Sequence, residues 1–361
     1  MLRFKSLPVN GDSFLILNNE ESYLVDAGRS EAITGLIPNN INIAICTHND
    51  ADHAGGFIYI LQNESIKINE MWLPAIWQPL ISFLIDYENK MIEDDELEIV
   101  LDDFIDYDDQ DFYSLTTTEN QYDESNEFME QMKSVSKYAA IKFISNLYFT
   151  FSGKVLLNRN YIRNPIRNLT INLDRIFQIA RMCIERSIPI VWFEPSIVNG
   201  KGIKNFKPLN SKRLMRLRKV SLKNFFKLLK LSPTNRYSLV FEFLYHETPL
   251  IILNADSDPL NVKYNSPYKK VLAIATHHGS ETNKQVYNEI YSNTGDHITW
   301  IRSGGTNRRH HPGKTFRSLS ALKYCSVCYP NKQFPIAPLE FKYNKNLNCW
   351  QHVQGGFTCN C

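Results

Sequence analysis

Short apolar runs of four to six residues, each followed at once by polar residues, recur along much of this 361-residue chain. Phe14 to Leu17 predict a strand after a turn at Asn10-Gly11, and Tyr23 to Val25 predict the next. Ile41, Ile43, Ala44 and Ile45 predict a buried strand, and Ile188 to Phe193 another. Ser238–Leu244 and Leu250–Asn254 alternate around the polar turn His246-Glu247-Thr248, the mark of a hairpin. Val271 to Thr276 and Ile298 to Ile301 predict two more buried strands. A short helix is expected over residues 31–38, stopping near Pro38, and a final helix over Phe316–Tyr324.

Between these runs the pattern changes. Over Tyr87 to Glu130 the chain is dense in Asp and Glu, with apolar residues at helical spacing from Ile92 to Ile105. An amphipathic acidic helix is expected there, with a mobile loop over Thr116–Asn126. From Lys201 to Lys230 the sign reverses, with Lys204, Lys207, Lys212, Arg213, Arg216, Arg218, Lys219, Lys223, Lys227 and Lys230. Each run reads as a solvated face or as one pairing with the other; a groove for a phosphate backbone is the sharper alternative.

The length suggests two domains, or one large domain with an insertion. With 43% hydrophobic residues the chain can bury a core, and its net charge of +2 gives no global field toward nucleic acid. The first residues lack the apolar segment of a secretory signal. The most apolar window, Met71–Ile85, is short and holds Pro74 and Pro79, which argues against a membrane span. A cytoplasmic protein without a membrane partner is expected. Seven cysteines, an odd number, argue against a disulfide framework. Cys46 and Cys183 read as core residues.

The densest chemistry lies in Ile41–Gly56, INIAICTHNDADHAGG. His48, Asp50, Asp52 and His53 arrive within six residues at the end of a buried strand. Such side chains repel or stay poorly satisfied unless a cation sits among them. Other polar motifs also follow buried strands: Ala255-Asp256, His277-His278-Gly279-Ser280, and Ser303-Gly304-Gly305-Thr306-Asn307 with His310-His311-Pro312. That is the pattern of a site assembled from loops at one edge of packed sheets.

The H-x-D-x-D-H cluster resembles the H-x-H-x-D-H signature of the metallo-β-lactamase superfamily, with Asp50 where a second histidine usually stands. That exchange resembles the hydrolase domain of ComEC-type competence proteins and their free-standing relatives. THNDADHAGG, TNRYSLVFEF, ILNAD, THHGSETN and SGGTNRRHHP match that domain's motifs in order, over residues 1–60 and 230–315. The resemblance implies an αββα metallo-β-lactamase-like sandwich of class α/β with a large, mostly helical insertion. Residues 1–60 would form the first half of the core and 61–180 the acidic insertion. Residues 181–324 would form the second half, including the basic segment 201–230, and 325–361 a Cys-rich tail.

The resemblance also implies a ligand set for two divalent ions, Zn²⁺ or Mn²⁺. His48 and Asp50 would hold one, Asp52 and His53 the second, with Asp256 bridging. One of His277 and His278 would complete the second position; which one stays open. Asp26, in the element Val25-Asp26-Ala27-Gly28, would hold the metal loop by hydrogen bonds. Gly11-Asp12-Ser13 matches a further family element. Many members add a histidine between the first motif and the bridging Asp; here the one histidine in that interval, His246, falls in a hairpin turn. The first metal would then rest on His48, Asp50 and Asp256, and the Asp-for-His exchange favours Mn²⁺ or Mg²⁺, with Zn²⁺ also accommodated.

Two cations about 3.5–4 Å apart suit phosphodiester hydrolysis by a metal-activated water. Asp52 and Asp256 are the expected catalytic residues, and Asn235, Ser280, Asn307, Arg308 and His311 the expected substrate wall. In the tail, Cys325, Cys328, Cys349, His352, Cys359 and Cys361 have spacing that suits a structural zinc, with reduced thiols in a strand-rich tail as the alternative. Three functions compete. One is a nuclease or other phosphodiesterase, meeting nucleic acid through 201–230. Another is a hydrolase of a small ester or nucleotide messenger. The third is a non-catalytic metal-binding subunit whose acidic insertion binds a partner protein, as in the bacterial phage-defence operons where free-standing relatives occur.

Overall fold

In the computed structural model, the described residues are 1–88, 121–122, 163–215, 217–218, 235–257, 262–264, 268–294, 297–304, 311–327, 336–355 and 357–359. The chain divides into two compact units. One comprises Met1–Pro74, Phe193–Arg213 and Asn235–Cys361; the other comprises Ala75–Trp192 and Leu214–Thr234. The first unit therefore runs on past residue 60, to Pro74. The segment 214–234 groups with the second unit.

The first half of the first unit contains β1 (Leu2–Ser6), β2 (Phe14–Asn18), β3 (Glu21–Val25), β4 (Asn40–Ile41) and β5 (Ile43–Ile45). Then come α1 (Ala51–Gln62), β6 (Lys67–Ile68) and β7 (Met71–Pro74). The second unit contributes α2 (Trp77–Glu88), β8 (Gln121–Tyr122) and α3 (Arg163–Glu185). β9 (Ile190–Pro195) re-enters the first unit at Phe193, and β10 (Phe206–Pro208) and β11 (Ser211–Arg213) follow. β12 (Leu217–Arg218) pairs with β8 in the second unit. The first unit then resumes with β13 (Phe241–Tyr245), β14 (Thr248–Leu253), β15 (Val271–Ile274), α4 (Lys284–Thr294) and β16 (Ile298–Arg302). It ends with α5 (Lys314–Ser318), β17 (Leu322–Cys325), β18 (Leu339–Asn344), β19 (Cys349–Gln354) and β20 (Phe357–Thr358).

Two mixed sheets organise the first unit. One runs β11-β9-β7-β5-β3-β2-β1-β18-β19, the other β10-β13-β14-β15-β16-β17-β20. β3, β5 and β7 pair in parallel, as do β14 to β17, and β1, β2, β10, β13, β18, β19 and the β9–β11 and β17–β20 pairs are antiparallel to their neighbours. This mixed α/β architecture is consistent with the expected metallo-β-lactamase-like class. The expected acidic insertion falls largely on residues outside those described; of it, α2 and α3 are helical.

The inner layer between the sheets is aromatic. Phe241 and Phe243 alternate with Glu242 on β13, so both rings turn one way. Phe193 lies 4.9 Å from Trp72 and 5.2 Å from Phe241, centroid to centroid, and Tyr23 lies 5.3 Å from Phe206. Edge-on rings at these distances add to what burial supplies. Glu242 faces the other way, where it accepts from the Tyr268 hydroxyl and lies 3.7 Å from Lys207 Nζ. The second sheet packs Ile252, Val271, Ala273 and Trp300 with Val286, Tyr287 and Ile290 of α4 and Phe316 of α5. Strands covered on both faces read as continuous apolar runs, as β15 does.

The expected final helix is shorter than its span. α5 stops at Ser318, and Leu322–Cys325 form β17, parallel to β16 and antiparallel to β20. The unpaired edge of β16 outweighs the local preference of that stretch. The tail supplies strands to both sheets, since β18 pairs with β1 and β20 with β17. Cys46 and Cys183 are buried, and burial pushes the Cys183 thiol up to about 12. Among the described residues no helix is long and apolar enough to cross a membrane.

Candidate metal centre

Strand ends bring the polar motifs together. Asp26 follows β3, Thr47 and His48 follow β5, Asp256 follows β14, His277 and His278 follow β15, and Ser303 follows β16. The chain must turn sharply at each end to aim a side chain back. Asp26, Ala255, His277 and His278 all sit in the left-handed region, with φ of 55°, 48°, 46° and 54°. Left-handed backbone costs roughly 1–2 kcal/mol per L-residue, and such strain clusters where function needs a fixed geometry. Gly304 shows how tight the space is: at φ 116°, a Cβ there would lie 2.5 Å from His278 Nδ1.

His48, His53, His278 and Asp256 are buried. His53 Nε2 lies 3.5 Å from Asp256 Oδ1, and His48 Nε2 lies 3.9 Å from both Asp256 Oδ2 and Asp50 Oδ2. His278 Nε2 lies 3.3 Å from Asp52 Oδ2. Two groups, His48/His53/Asp256 and Asp52/His53/His278, each have one donor atom per residue within 4.8 Å of the others. Asp50 caps the start of α1 through its backbone and makes no side-chain cap, and its side chain is 37% exposed toward solvent.

The outer faces of the imidazoles are held by carboxylates. His53 Nδ1 donates to Asp26 Oδ2 at 2.8 Å. Thr47 Oγ1 donates to the same carboxylate, also at 2.8 Å, and stands 3.0 Å from His48 Nδ1. The Thr47 amide donates to Asp26 Oδ1. Asp26 therefore fixes both rings with Nε2 turned inward, His53 directly and His48 through Thr47. Asp12 stands against the outer face of His278 at ion-pair distance, with Oδ1 3.1 Å from Nδ1, and is itself held by the Ser303 hydroxyl at 2.6 Å.

The inward atoms test whether a cation fits. His48 Nε2, His53 Nε2, His278 Nε2 and Asp256 Oδ1 are buried and have no hydrogen-bond partner. Buried polar atoms are normally paired, and imidazole nitrogens facing carboxylates at these distances are the donor set of a transition-metal site. The residues present fit divalent ions. Electrostatics agree. Burial opposes charge on His53, but Asp256 and Asp26 outweigh it and hold its pKa well above the ordinary value. Burial likewise opposes charge on His278, yet Asp12 and its neighbours raise it to about 10. Burial and the neighbouring His53 push His48 down to about 4. Burial would raise Asp256, but His53, His278 and His48 keep it well below the usual carboxylate range.

His48, Asp50, Asp52, His53, Asp256 and His278 thus meet at one place. His277 comes to its rim, 25% exposed, with Nε2 3.7 Å from Asp256 Oδ2. His311 joins it there, its ring 5.1 Å from that of His277. Asn235, expected on the substrate wall, donates to Asp256 Oδ2 at 3.4 Å. Ser280 caps the turn that follows it, accepting from the Thr282 amide. Asn307 and Arg308 lie outside the described residues. His246 is exposed on the β13–β14 turn against Tyr245.

In the tail, Cys325 Sγ accepts from Arg302, and His352 Nε2 meets the Gly355 carbonyl at 2.6 Å. Among the described residues neither donor group includes a tail cysteine or His352, and Cys328 and Cys361 lie outside them. Arg302 was not singled out from sequence. Its buried guanidinium donates to the carbonyls of His278 and His311, tying the doublet to the rim. Nothing local to Ile298–Arg302 marks that role. Asp12 and Ser303 were visible as motif members, but their contact spans 291 residues of sequence.

Compared with known protein families, residues 7–72 match the metallo-beta-lactamase superfamily, whose members are generally metal-dependent hydrolases. No curated protein matches the chain. The match spans β2 to β7 and includes Asp12, Asp26, His48, Asp50, Asp52 and His53.

Proposed function

We propose that this protein is a divalent-metal-dependent phosphodiesterase, and in its specific form a nuclease. The observation that carries the reading is the convergence of three buried, unpartnered imidazole nitrogens on the Asp256 and Asp52 carboxylates. Bound divalent cations supply Lewis acidity, acidifying water and neutralising charge on phosphoryl oxygens. Asp256 stands between the His48/Asp50 side and the Asp52/His53/His278 side, where it would hold a cation on either side. Asn235 orients its carboxylate. Asp26 and Asp12 aim the inward imidazole faces. At the rim, His277 and His311 face the side from which an anionic substrate enters.

The donor set mixes imidazole with carboxylate, and Asp50 hardens it, which supports Mn²⁺ with Zn²⁺ as the second choice. Lys204, Lys207 and Lys212 are engaged with Glu70, Glu242 and Glu194. Contact with a nucleic-acid backbone is therefore proposed for Arg213 and the cations that follow it, and the acidic stretch of the second unit is proposed to meet a protein partner.

The test is direct. Purified protein with Mn²⁺ is given a labelled single-stranded oligonucleotide and bis-p-nitrophenyl phosphate. Cleavage of both, lost in Asp52→Ala and in Asp256→Ala, is expected. Turnover of the small diester with no cleavage of any nucleic acid moves the reading to a small-ester or nucleotide hydrolase. Bound metal with neither substrate consumed moves it to a non-catalytic subunit.

A further inference from the structure

We propose that the His277-His278 doublet is divided between two cation positions: His278 serves the Asp52/His53 side and His277 the His48/Asp50 side, with Asp256 between. The inference rests on the reading of the site as a two-cation hydrolase centre. It assigns His277 a role that the family match does not reach, since that match ends at residue 72.

The two oxygens of Asp256 separate the sides. Oδ1 faces His53 Nε2 at 3.5 Å, whereas Oδ2 faces His48 Nε2 at 3.9 Å and His277 Nε2 at 3.7 Å. His278 is turned elsewhere, to Asp52 Oδ2 at 3.3 Å. Donors about 3.4 Å apart are what a tetrahedral ion with bonds of about 2.1 Å requires, and wider angles extend this toward 4 Å. His48, Asp50 and Asp256 Oδ2 make three donors on their side, and His277 stands next to the last of them. It is outside the two groups whose donor atoms already lie within 4.8 Å of one another, and a side-chain rotation inward would complete that position.

The backbone explains how neighbours serve two places. In extended chain, consecutive side chains point to opposite faces. His277 (φ 46°, ψ 51°) and His278 (φ 54°, ψ 27°) are both left-handed, and their rings stand 6.0 Å apart at 62°. One ligand alone would not require two strained residues in succession. The strain is locked from both sides: the His277 amide donates to the Ala255 carbonyl, and Arg302 Nε donates to the His278 carbonyl. Among the described residues, His53 also lies beside His48 but is shared with the Asp52/His278 group; His246 and His297 are exposed elsewhere, and His311 lies beyond His277.

Mn²⁺ binding by the full chain tests this, read by calorimetric stoichiometry and electron paramagnetic resonance. Wild type is expected to bind two ions and give a spin-coupled spectrum. His277→Ala is expected to keep one tight ion and give an isolated six-line spectrum. Adding Asp50→Ala to it should change nothing further, whereas adding Asp52→Ala should remove the remaining ion. Thermal unfolding of each variant without metal checks that it folds, and His277→Gln provides a second substitution that keeps bulk. Two ions with unchanged affinity in both His277 variants overturn the division and leave the hydrolase reading standing. A wild type that binds no divalent ion overturns the hydrolase reading itself.

Discussion

Asp26 holds His53 through a 2.8 Å hydrogen bond from Nδ1 to Oδ2 across 27 residues of sequence, and the same carboxylate reaches His48 through Thr47. One buried side chain therefore sets two imidazoles. Asp26→Asn keeps the volume but cannot accept from both Thr47 and His53 as a carboxylate does. Metal affinity is expected to fall by about 10–100-fold with little change in far-ultraviolet circular dichroism. Competition against a chelator measures this, and unchanged affinity would refute the assigned role.

Cation uptake should release protons. Against the effect of burial, facing carboxylates hold His278 up to about 10 and His53 well above its ordinary value, so both favour the protonated form when no cation is bound. Because both pKa values are raised on folding, the stability they contribute is complete below about pH 6.5 and is lost as pH rises through the folded values. A divalent ion must displace those protons, so apparent affinity is expected to climb with pH over the neutral range. Calorimetry in two buffers of different ionisation enthalpy would show the release. Uptake at pH 7 without any proton release contradicts it.

Gly304→Ala addresses the other wall. The added methyl would meet the His278 ring, and φ of 116° is unfavourable for alanine. The expected cost is about 1–3 kcal/mol in metal-free stability, with weakened metal binding because the ring must tilt. Denaturant unfolding and metal titration together check it; a variant with wild-type values in both would show that the loop gives way freely.

Lys207 distinguishes pairing from substrate contact. Its ammonium lies 3.7 Å from the buried Glu242 carboxylate. Lys207→Met leaves that carboxylate with the hydrogen bond from the Tyr268 hydroxyl but without its cation, and a loss of about 1–3 kcal/mol is expected, the lower part because Lys207 is partly solvated. Oligonucleotide binding and its salt slope should be unchanged. A flatter salt dependence in this variant would assign Lys207 to the phosphate backbone instead.

Much of the centre was readable because its chemistry is dense and local. His48, Asp50, Asp52 and His53 occupy the end of one strand and the start of one helix, and Asp256 and the histidine doublet each follow an apolar run. The choice between His277 and His278 was not readable, because it depends on two left-handed residues whose strain is compensated by Ala255 and Arg302 at a distance. Asp12 was visible as a motif member, but its contact with His278 joins the first turn of the chain to a loop after β15. Ser280, expected on the substrate wall, also caps the turn that follows it, a use of serine that local sequence does not announce. The extent of the last helix was misread for a different reason: Leu322–Cys325 become strand because β16 offers an edge, and an edge has no local signature.

The pairing of Arg3 with Lys342 and of Ser6 with Leu339 places β1 beside a strand made more than three hundred residues later. During synthesis, β1 therefore exposes one ribbon of amide and carbonyl groups until nearly all of this chain has emerged. Closing so large a loop adds little equilibrium cost per doubling of length, but it slows the search for the native topology. The nascent chain thus keeps the β1 edge open to strand addition by other chains long after the histidine cluster has left the ribosome.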